Sequence, residues 1–291
     1  MPAIKFSPRG YIASVWRDAH AALGRVARDR AALAALIVLI LPWWALVFLR
    51  KNTDWLVSFG QIGIVIFLLW WMSRSGAAPA PEVRHPRAES LFAIVFVVIW
   101  VGWRAGICDK VFPFLPGDFN CYGNWEFEIL PKLFETVVVP LAFLLFFGYR
   151  FRAIGANLNL RAFWISLPVL IGLAAYGFYL HRAQPETFVQ SFGQFFAGAG
   201  LPEEFLWRAF LMTRLEAWWR SSAWGLFGAS VIFGLSHLPI DYLVFTDHNW
   251  RETWITLLTF QMGFGVVFGF AYQRTRNIWP IAIIHAMVDA L

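Results

Sequence analysis

The sequence predicts an all-α polytopic membrane protein, a bundle of about eight or nine transmembrane helices around a polar intramembrane site. Two observations on composition support this class. Of the 291 residues, 59% are hydrophobic and only 14% are charged, whereas about a quarter of the residues in an ordinary soluble domain are charged. Tryptophan (17) and phenylalanine (30) are abundant, as is typical of interfacial belts in a bilayer. The third observation is a set of ionisable residues within apolar sequence near the end of the chain.

The membrane spans are predicted from apolar runs of roughly 17–25 residues, the length that crosses a bilayer as a helix. Full-length runs lie at residues 31–49, 55–73, 130–148, 162–180 and 253–272. Shorter runs lie at residues 89–103, 222–238 and 278–290. The stretch 187–215 is ambiguous, because its first part resembles an amphipathic or interfacial segment. A new helix is expected to begin after Gly198, Gly200 and Pro202, since proline suits a first helical turn.

These runs divide the chain into three predicted regions. They are a basic cytoplasmic arm (1–30), N-terminal transmembrane helices (31–185) and a C-terminal helical core (186–291). The arm does not resemble a cleaved signal, because its apolar run begins late and is long enough to span.

Loop charges predict the orientation of the chain. The basic loops are 74–88, 149–161, 214–220 and 273–277, and the loops richer in acidic residues are 104–129 and 239–252. By the positive-inside rule the N-terminus is cytoplasmic, although the pair Arg50 and Lys51 falls on the predicted outer side. We expect an integral, multi-pass protein of a bacterial inner (plasma) membrane. The net charge of +6 is then assigned to anionic lipid, and no nucleic-acid partner is expected.

The two cysteines, Cys108 and Cys121, flank a loop that this orientation places outside the cytoplasm. A disulfide persists in an oxidising compartment, so the pair is either a disulfide or two free thiols.

The ionisable residues of the C-terminal core form three short motifs. Glu203 and Glu204 precede Arg208, His237 follows Phe233 by four residues, and Asp289 follows His285 by four. On a helix, residues four apart share a face, which pairs Glu204 with Arg208 and His285 with Asp289. Glu203 points about 100° away from Glu204 and is free to face a cavity.

Each motif also has a structural explanation. Both glutamates would complement the dipole of a helix N-terminus, and His237 would suit a helix C-terminus. His285 would be held by Asp289 for packing alone. Charged side chains at bilayer depth are costly, however, and are functional candidates by default. Three helices that each carry such a residue are better explained by one shared site, which the predicted topology places nearer the outer face.

Together, the motifs resemble the signature of the CPBP family of intramembrane proteases, which includes the CAAX-processing endopeptidase of prenylated proteins. The run from Gly265-x-x-x-Gly269 to Ile278-Trp279-Pro280 is similar to the family's approach to its last helix. The resemblance covers residues 190–291. Within it, packing alone explains Gly265 and Gly269, whose spacing lets helices approach closely.

The resemblance implies a glutamate-dependent endopeptidase. Glu203 would activate water as general base, with Glu204 and Arg208 holding its geometry. His237 would help to position the water, and His285 with the last polar residue would stabilise the oxyanion. The family often has asparagine where this chain has Asp289. Because an ionised aspartate cannot donate a hydrogen bond, Asp289 must be protonated, orient His285 or bind something else.

Three other functions stay open from the sequence. Glu203, His237, His285 and Asp289 are acceptable zinc ligands, so a zinc-dependent membrane hydrolase is one alternative to an enzyme without a cofactor. A proton-coupled transporter is the second, although no internal repeat is evident, and a silent binding protein is the third. For the protease, the expected partners are the lipid bilayer and a membrane-anchored or C-terminally tailed protein, cut near the extracytoplasmic face at a sorting signal or lipidated tail.

Overall fold

A computed structural model describes residues 80–107, 125–149 and 160–291, and every regular element in these ranges is helical. The basic arm (1–30), the apolar runs at 31–49 and 55–73, the pair Arg50 and Lys51, and both cysteines lie outside the described residues. The elements of the described part are therefore helical, as predicted, and the number of eight or nine helices stays a prediction.

Seven helices follow one another in the described ranges, several of them interrupted by wider π-helical turns. They are α1 (Pro86–Gly102, extended by Trp103–Ile107), α2 (Trp125–Leu133, Phe134–Val138 and Val139–Phe146), α3 (Leu160–Leu180), α4 (Pro185–Phe195, Phe196–Gly200, Leu201–Glu204, Phe205–Met212 and Thr213–Trp219), α5 (Ser222–Ser236, continued by Leu238–Ile240 and Asp241–Phe245), α6 (Trp250–Thr256, Leu257–Gln261 and Met262–Thr275) and α7 (Ile278–Asp289).

Four of the described helices are long and apolar enough to cross a membrane. They are Pro86–Ala105, Ile129–Phe146, Ser222–Phe245 and Trp250–Thr275. Two shorter apolar helices lie at Ser166–Leu180 and Ile278–Asp289. All six coincide with predicted apolar runs, so the chain is an integral membrane protein. The short runs at 89–103 and 222–238 prove to be parts of full-length helices.

The predicted start of a helix at Pro202 is wrong, because α4 continues without a break from Pro185 to Trp219. A proline inside a helix clashes with the carbonyl group four residues earlier. The turn Phe196–Gly200, just before Pro202, is π-helical and therefore wider than an α-helical turn, which accommodates the proline ring. Glu203 and Glu204 consequently lie inside a helix, and the explanation that they complement a helix N-terminus no longer applies.

Helix α4 is the centre of the bundle. Its residues from Phe205 to Leu215 are all almost completely buried, and aromatic side chains of three other helices surround them. The ring of Trp207 meets Phe233 of α5 at 5.4 Å between centroids, and Phe210 meets Phe143 of α2 at 5.9 Å. The two glutamates thus lie directly before the buried central segment of α4.

Glycine lets α4 touch α7 directly. A Cβ atom added to Gly200 would lie 2.3 Å from the backbone oxygen of Ala282, so only glycine fits this crossing. Gly200 precedes Glu204 by one turn, and Ala282 precedes His285 by a similar distance. The close approach therefore brings the first and third motifs of the site together. Gly265 similarly packs against Ser230 of α5, as its predicted packing role requires.

Candidate active site

Glu204 is the buried centre of the candidate site. Its side chain is completely buried, and its two carboxylate oxygens have different partners. Oε2 lies 3.2 Å from Nε of Arg208, the pairing predicted from their spacing on one helix. Oε1 lies 2.8 Å from Nδ1 of His285 on α7. Because an ionised carboxylate only accepts hydrogen bonds, Nδ1 of His285 is the donor.

Arg208 is held between two aromatic rings. Its guanidinium carbon lies 4.8 Å from the ring centroid of Phe233 on α5 and 5.9 Å from that of Phe268 on α6. Phe268 also stacks on the ring of His285, at 5.0 Å between centroids. Cation–π contacts of this kind stabilise a buried arginine. They join four helices around the Glu204 carboxylate and leave it little freedom to move.

Asp289 reaches the other nitrogen of the same histidine. Its Oδ2 lies 3.4 Å from Nε2 of His285, and a third of the Asp289 side chain (33%) is exposed. His285 thus lies between Glu204 on the buried side and Asp289 on the open side. Of the three roles left open for Asp289, this contact corresponds to the one in which it orients His285.

Glu203 points away from Glu204, as expected for adjacent residues on a helix, and meets different partners. Its Oε1 accepts a hydrogen bond of 2.7 Å from Nζ of Lys132 on α2. Its Oε2 lies 3.9 Å from Nε2 of His237. That distance exceeds a direct hydrogen bond and is compatible with a bridging water molecule. Glu203 therefore has one oxygen fixed by a cation and one available to a small polar molecule.

The orientation of the His237 ring is set by its own helix. Nδ1 lies 2.8 Å from the carbonyl oxygen of Phe233. Because a carbonyl group only accepts, Nδ1 carries the hydrogen, and Nε2 of the neutral ring presents a lone pair toward Glu203. About a fifth of the His237 side chain (20%) is exposed. This side of the site is therefore more open than the surroundings of Glu204.

All six predicted residues lie in this one region. Glu203 faces His237, whereas Glu204, Arg208, His285 and Asp289 form a continuous chain of contacts. The charges come from α4, α5 and α7, as the motifs predict.

Lys132 is the residue that the sequence reasoning missed. It lies in the apolar run 130–148 directly after Pro131, and it is the single basic residue of that run. A charged residue in a membrane span was the signal used for the other helices, and the same signal would have found it. Asp241 is a second residue that the sequence reasoning missed. It is fully buried four residues after His237 and contacts Nε2 of Gln261 through Oδ1 at 3.4 Å.

A metal centre was one alternative for these residues. Within the described ranges, no three His, Cys, Asp or Glu side chains are grouped so as to hold a metal ion. Lys132 and Arg208 instead each contact one carboxylate oxygen, of Glu203 and of Glu204 respectively.

One comparison with known proteins identifies the C-terminal part of the chain. Residues 185–291 match the family model described as Type II CAAX prenyl endopeptidase Rce1-like. The match contains all six candidate residues and confirms the resemblance to the CPBP proteases. It covers little more than the last third of the chain, so Lys132 lies outside it. No curated protein and no solved structure matches this sequence.

Proposed function

We propose that this chain, whose C-terminal part matches the Rce1-like family model, is an intramembrane endopeptidase that uses water activated by Glu203. The observation that carries the proposal is the pair of acceptors 3.9 Å apart, Glu203 Oε2 and His237 Nε2. A water molecule between them would donate one hydrogen to each. Its oxygen lone pairs would then face away from both acceptors, toward a substrate carbonyl group.

In the proposed reaction, Glu203 takes a proton from this water as the water oxygen attacks the carbonyl carbon. The carbonyl oxygen becomes the oxyanion of a tetrahedral intermediate. When the C–N bond breaks, the protonated Glu203 returns the proton to the leaving amine. The products are a carboxylic acid and an amine, and the glutamate is regenerated.

His285 is the proposed donor to the oxyanion. Its Nδ1–H is engaged by Glu204 at 2.8 Å, which leaves Nε2 as the donor that faces the open side. Asp289 occupies this nitrogen at 3.4 Å, a long contact that a substrate oxygen can replace. In this proposal Glu204 and Asp289 keep His285 protonated and oriented until substrate enters.

Lys132 has a positioning role in this proposal. Because its ammonium group binds Oε1 of Glu203 at 2.7 Å, the carboxylate cannot rotate, and Oε2 stays directed toward His237. The positive charge also offsets part of the cost of an anion in an apolar setting.

The proposed substrate is a membrane-anchored or C-terminally tailed protein. The description of the matched family favours a lipidated tail, and the predicted orientation favours cleavage near the extracytoplasmic face of a bacterial inner membrane. Single cysteines placed next to His237 and labelled with an impermeant reagent test the face. Labelling from the cytoplasmic side alone would contradict the orientation and leave the proposed chemistry untouched.

The function is tested by comparing membrane-protein fragments in cells that express the wild type or Glu203→Ala. The matched control is Glu186→Ala, which removes an exposed carboxylate from the first turn of the same helix. We expect a set of new N- and C-termini that Glu203→Ala lacks and Glu186→Ala retains. Identical fragments in all three would rule out a protease.

The same purified protein decides between the glutamate mechanism and the zinc alternative. If near-stoichiometric zinc is found and is lost together with cleavage on chelation, the zinc-dependent hydrolase is favoured. Cleavage that persists in metal-free protein supports the glutamate mechanism.

A further inference from the structure

A polar pocket lies at the opposite end of the bundle from the candidate active site. It measures about 600 Å³ and is lined by the start of α1 and the end of α4, including Arg84, Arg87, Trp218 and Arg220. We call it the arginine pocket. Along α5, the distance from Ser222, next to this pocket, to His237 is about 22 Å at 1.5 Å per residue. The arginine pocket and the candidate active site are therefore separate.

The pocket lies where membrane helices end. The span Pro86–Ala105 begins at its wall, and the span Ser222–Phe245 begins two residues after Arg220. Residues at the ends of membrane spans lie at the depth of the lipid headgroups, and tryptophan is enriched there. Trp218, which is half-buried in the pocket wall, fits that depth.

The wall of the pocket is strongly cationic. Its lining contains three arginines and His85, and none of its lining residues is acidic. The nearby carboxylate of Glu89 is completely buried and already bound by Arg214 at 3.3 Å and by the Tyr149 hydroxyl at 2.6 Å. It does not neutralise the pocket. Basic cavities between membrane helices of this kind bind anionic headgroups.

Arg84 is fixed in place before any ligand arrives. Its backbone N–H donates to the Tyr149 hydroxyl at 2.6 Å, and its Nη1 donates to the carbonyl oxygen of Phe147 at 3.0 Å. Arg84 also lines the pocket. A cation whose position is already fixed loses less conformational entropy on binding an anion.

Arg220 provides an independent observation. It ends α4 in the left-handed conformation (φ 52°), and Arg276 ends α6 in the same way (φ 46°). Glycine is usual at such positions because other residues are strained there. The side chain of Arg276 forms an ion pair of 2.8 Å with Glu216. Within the described part of the chain, Arg220 and Arg87 have no such partner, and both line the pocket.

We propose that the arginine pocket binds a phosphate-bearing anion at the membrane surface. Arg84, Arg87 and Arg220 contact the phosphate oxygens, in the paired geometry that guanidinium groups form with phosphate. An anionic phospholipid and free phosphate share this chemistry, and binding of either is independent of the proposed peptidase activity.

The test uses the purified full-length protein and two matched double variants. Arg87→Gln/Arg220→Gln removes two charges from the pocket. Arg182→Gln/Arg251→Gln removes two exposed arginines near the other end of the bundle and changes the net charge equally. Binding is measured in nanodiscs of phosphatidylcholine with increasing phosphatidylglycerol, and separately in neutral detergent with inorganic phosphate. A single variant, Arg220→Gly, removes the side chain and also relieves the backbone strain at this left-handed residue. A loss of binding in this variant therefore cannot be attributed to misfolding.

We expect the pocket variant to weaken phosphatidylglycerol binding at least about tenfold, because each lost contact to a charged group costs that order of affinity. The control variant should bind like the wild type, and Arg220→Gly should fold normally while losing part of the affinity. Phosphate binding in detergent that is lost in the pocket variant would identify a free phosphate site. Equal binding of both ligands by the two double variants would overturn the proposal.

Discussion

The two ends of the described bundle neutralise buried carboxylates with different kinds of partner. At the end that holds the arginine pocket, Glu89 pairs with Arg214, and Glu216 pairs with Arg276. At the other end, Glu203 pairs with Lys132 and faces His237, and Glu204 is shared between an arginine and a histidine. Guanidinium groups keep their charge at every physiological pH, whereas lysine and histidine side chains can lose theirs.

This difference separates contacts that hold the helices together from groups that could take part in catalysis. At the arginine end, partners are permanent donors, and the contacts tie α1, α4 and α6 together. Burial raises the pKa of Tyr149 there to about 12, although the N–H of Arg84 opposes the shift. This hydroxyl therefore stays protonated and donates to Glu89. At the site end, the buried carboxylate of Glu203 and the partly exposed imidazole of His237 face one another across a gap of 3.9 Å. Both groups can exchange protons, as the proposed mechanism requires.

The largest expected effect is the loss of catalysis when Glu203 becomes glutamine. Glu203→Gln keeps the size of the side chain but removes the base, and we expect cleavage to slow by about 10²–10⁴-fold, the range for a general base. The thermal midpoint should change little. The comparison is with Glu89→Gln, which should lower the midpoint and leave cleavage per folded molecule intact. The reverse pattern would show that the two ends have been assigned the wrong roles.

The second effect comes from the crossing that brings Glu204 to His285. Gly200→Ala places a methyl group against the Ala282 backbone oxygen, and overpacking of this kind costs about 1–3 kcal/mol. Because the helices must separate, cleavage should fall as well. Gly193→Ala is the matched control on the same helix, since its Cβ would meet no atom within 4 Å. If both variants behave alike in unfolding and cleavage assays, the crossing of α4 and α7 does not determine the geometry of the site.

Glu204, Arg208 and Pro202 show what could and could not be predicted from the sequence alone. The spacing of Glu204 and Arg208 predicted their ion pair, because residues four apart meet on any helix. The lengths of the apolar runs predicted the helices, because a bilayer imposes that length. The prediction from Pro202 was wrong. Proline is common in the first turn of a helix, but here the π-helical turn Phe196–Gly200 accommodates its ring inside a longer helix. Gly200, the last residue of this turn, packs against Ala282 of another helix, and one sequence does not encode that contact in a local pattern.

Lys132 was missed for a similar reason. It is distant in sequence from Glu203, and only the packing of α2 against α4 brings the two together at 2.7 Å. The partner of a charged residue in a membrane is not predictable from spacing when the two lie on different helices. The same limit left three roles open for Asp289, until the contact with His285 favoured one of them.

Lys132 gives the third prediction, an intermediate effect on the site end alone. Lys132→Met should lower kcat about tenfold or more with little change in KM, because Oε2 of Glu203 is no longer directed toward His237. Lys132→Arg should restore most of the rate, since a guanidinium group can also bind Oε1. A merely structural lysine would show equal loss of folded protein and no rescue of kcat by arginine.

The smallest effect is expected at the arginine end, from Tyr149→Phe. Removing the hydroxyl deletes the hydrogen bond to Glu89 and should cost about 1–2 kcal/mol of stability at neutral pH, with cleavage unchanged. The pH dependence has a defined sign. Because the folded-state pKa of Tyr149 is raised to about 12, its contribution is fully present below the unfolded value of about 10 and is lost as the pH rises through 12. Wild type and variant should therefore converge in unfolding free energy above that pH. A constant difference across this range would mean that the ring packing of Tyr149, and not its protonated hydroxyl, joins α1 to the end of α2.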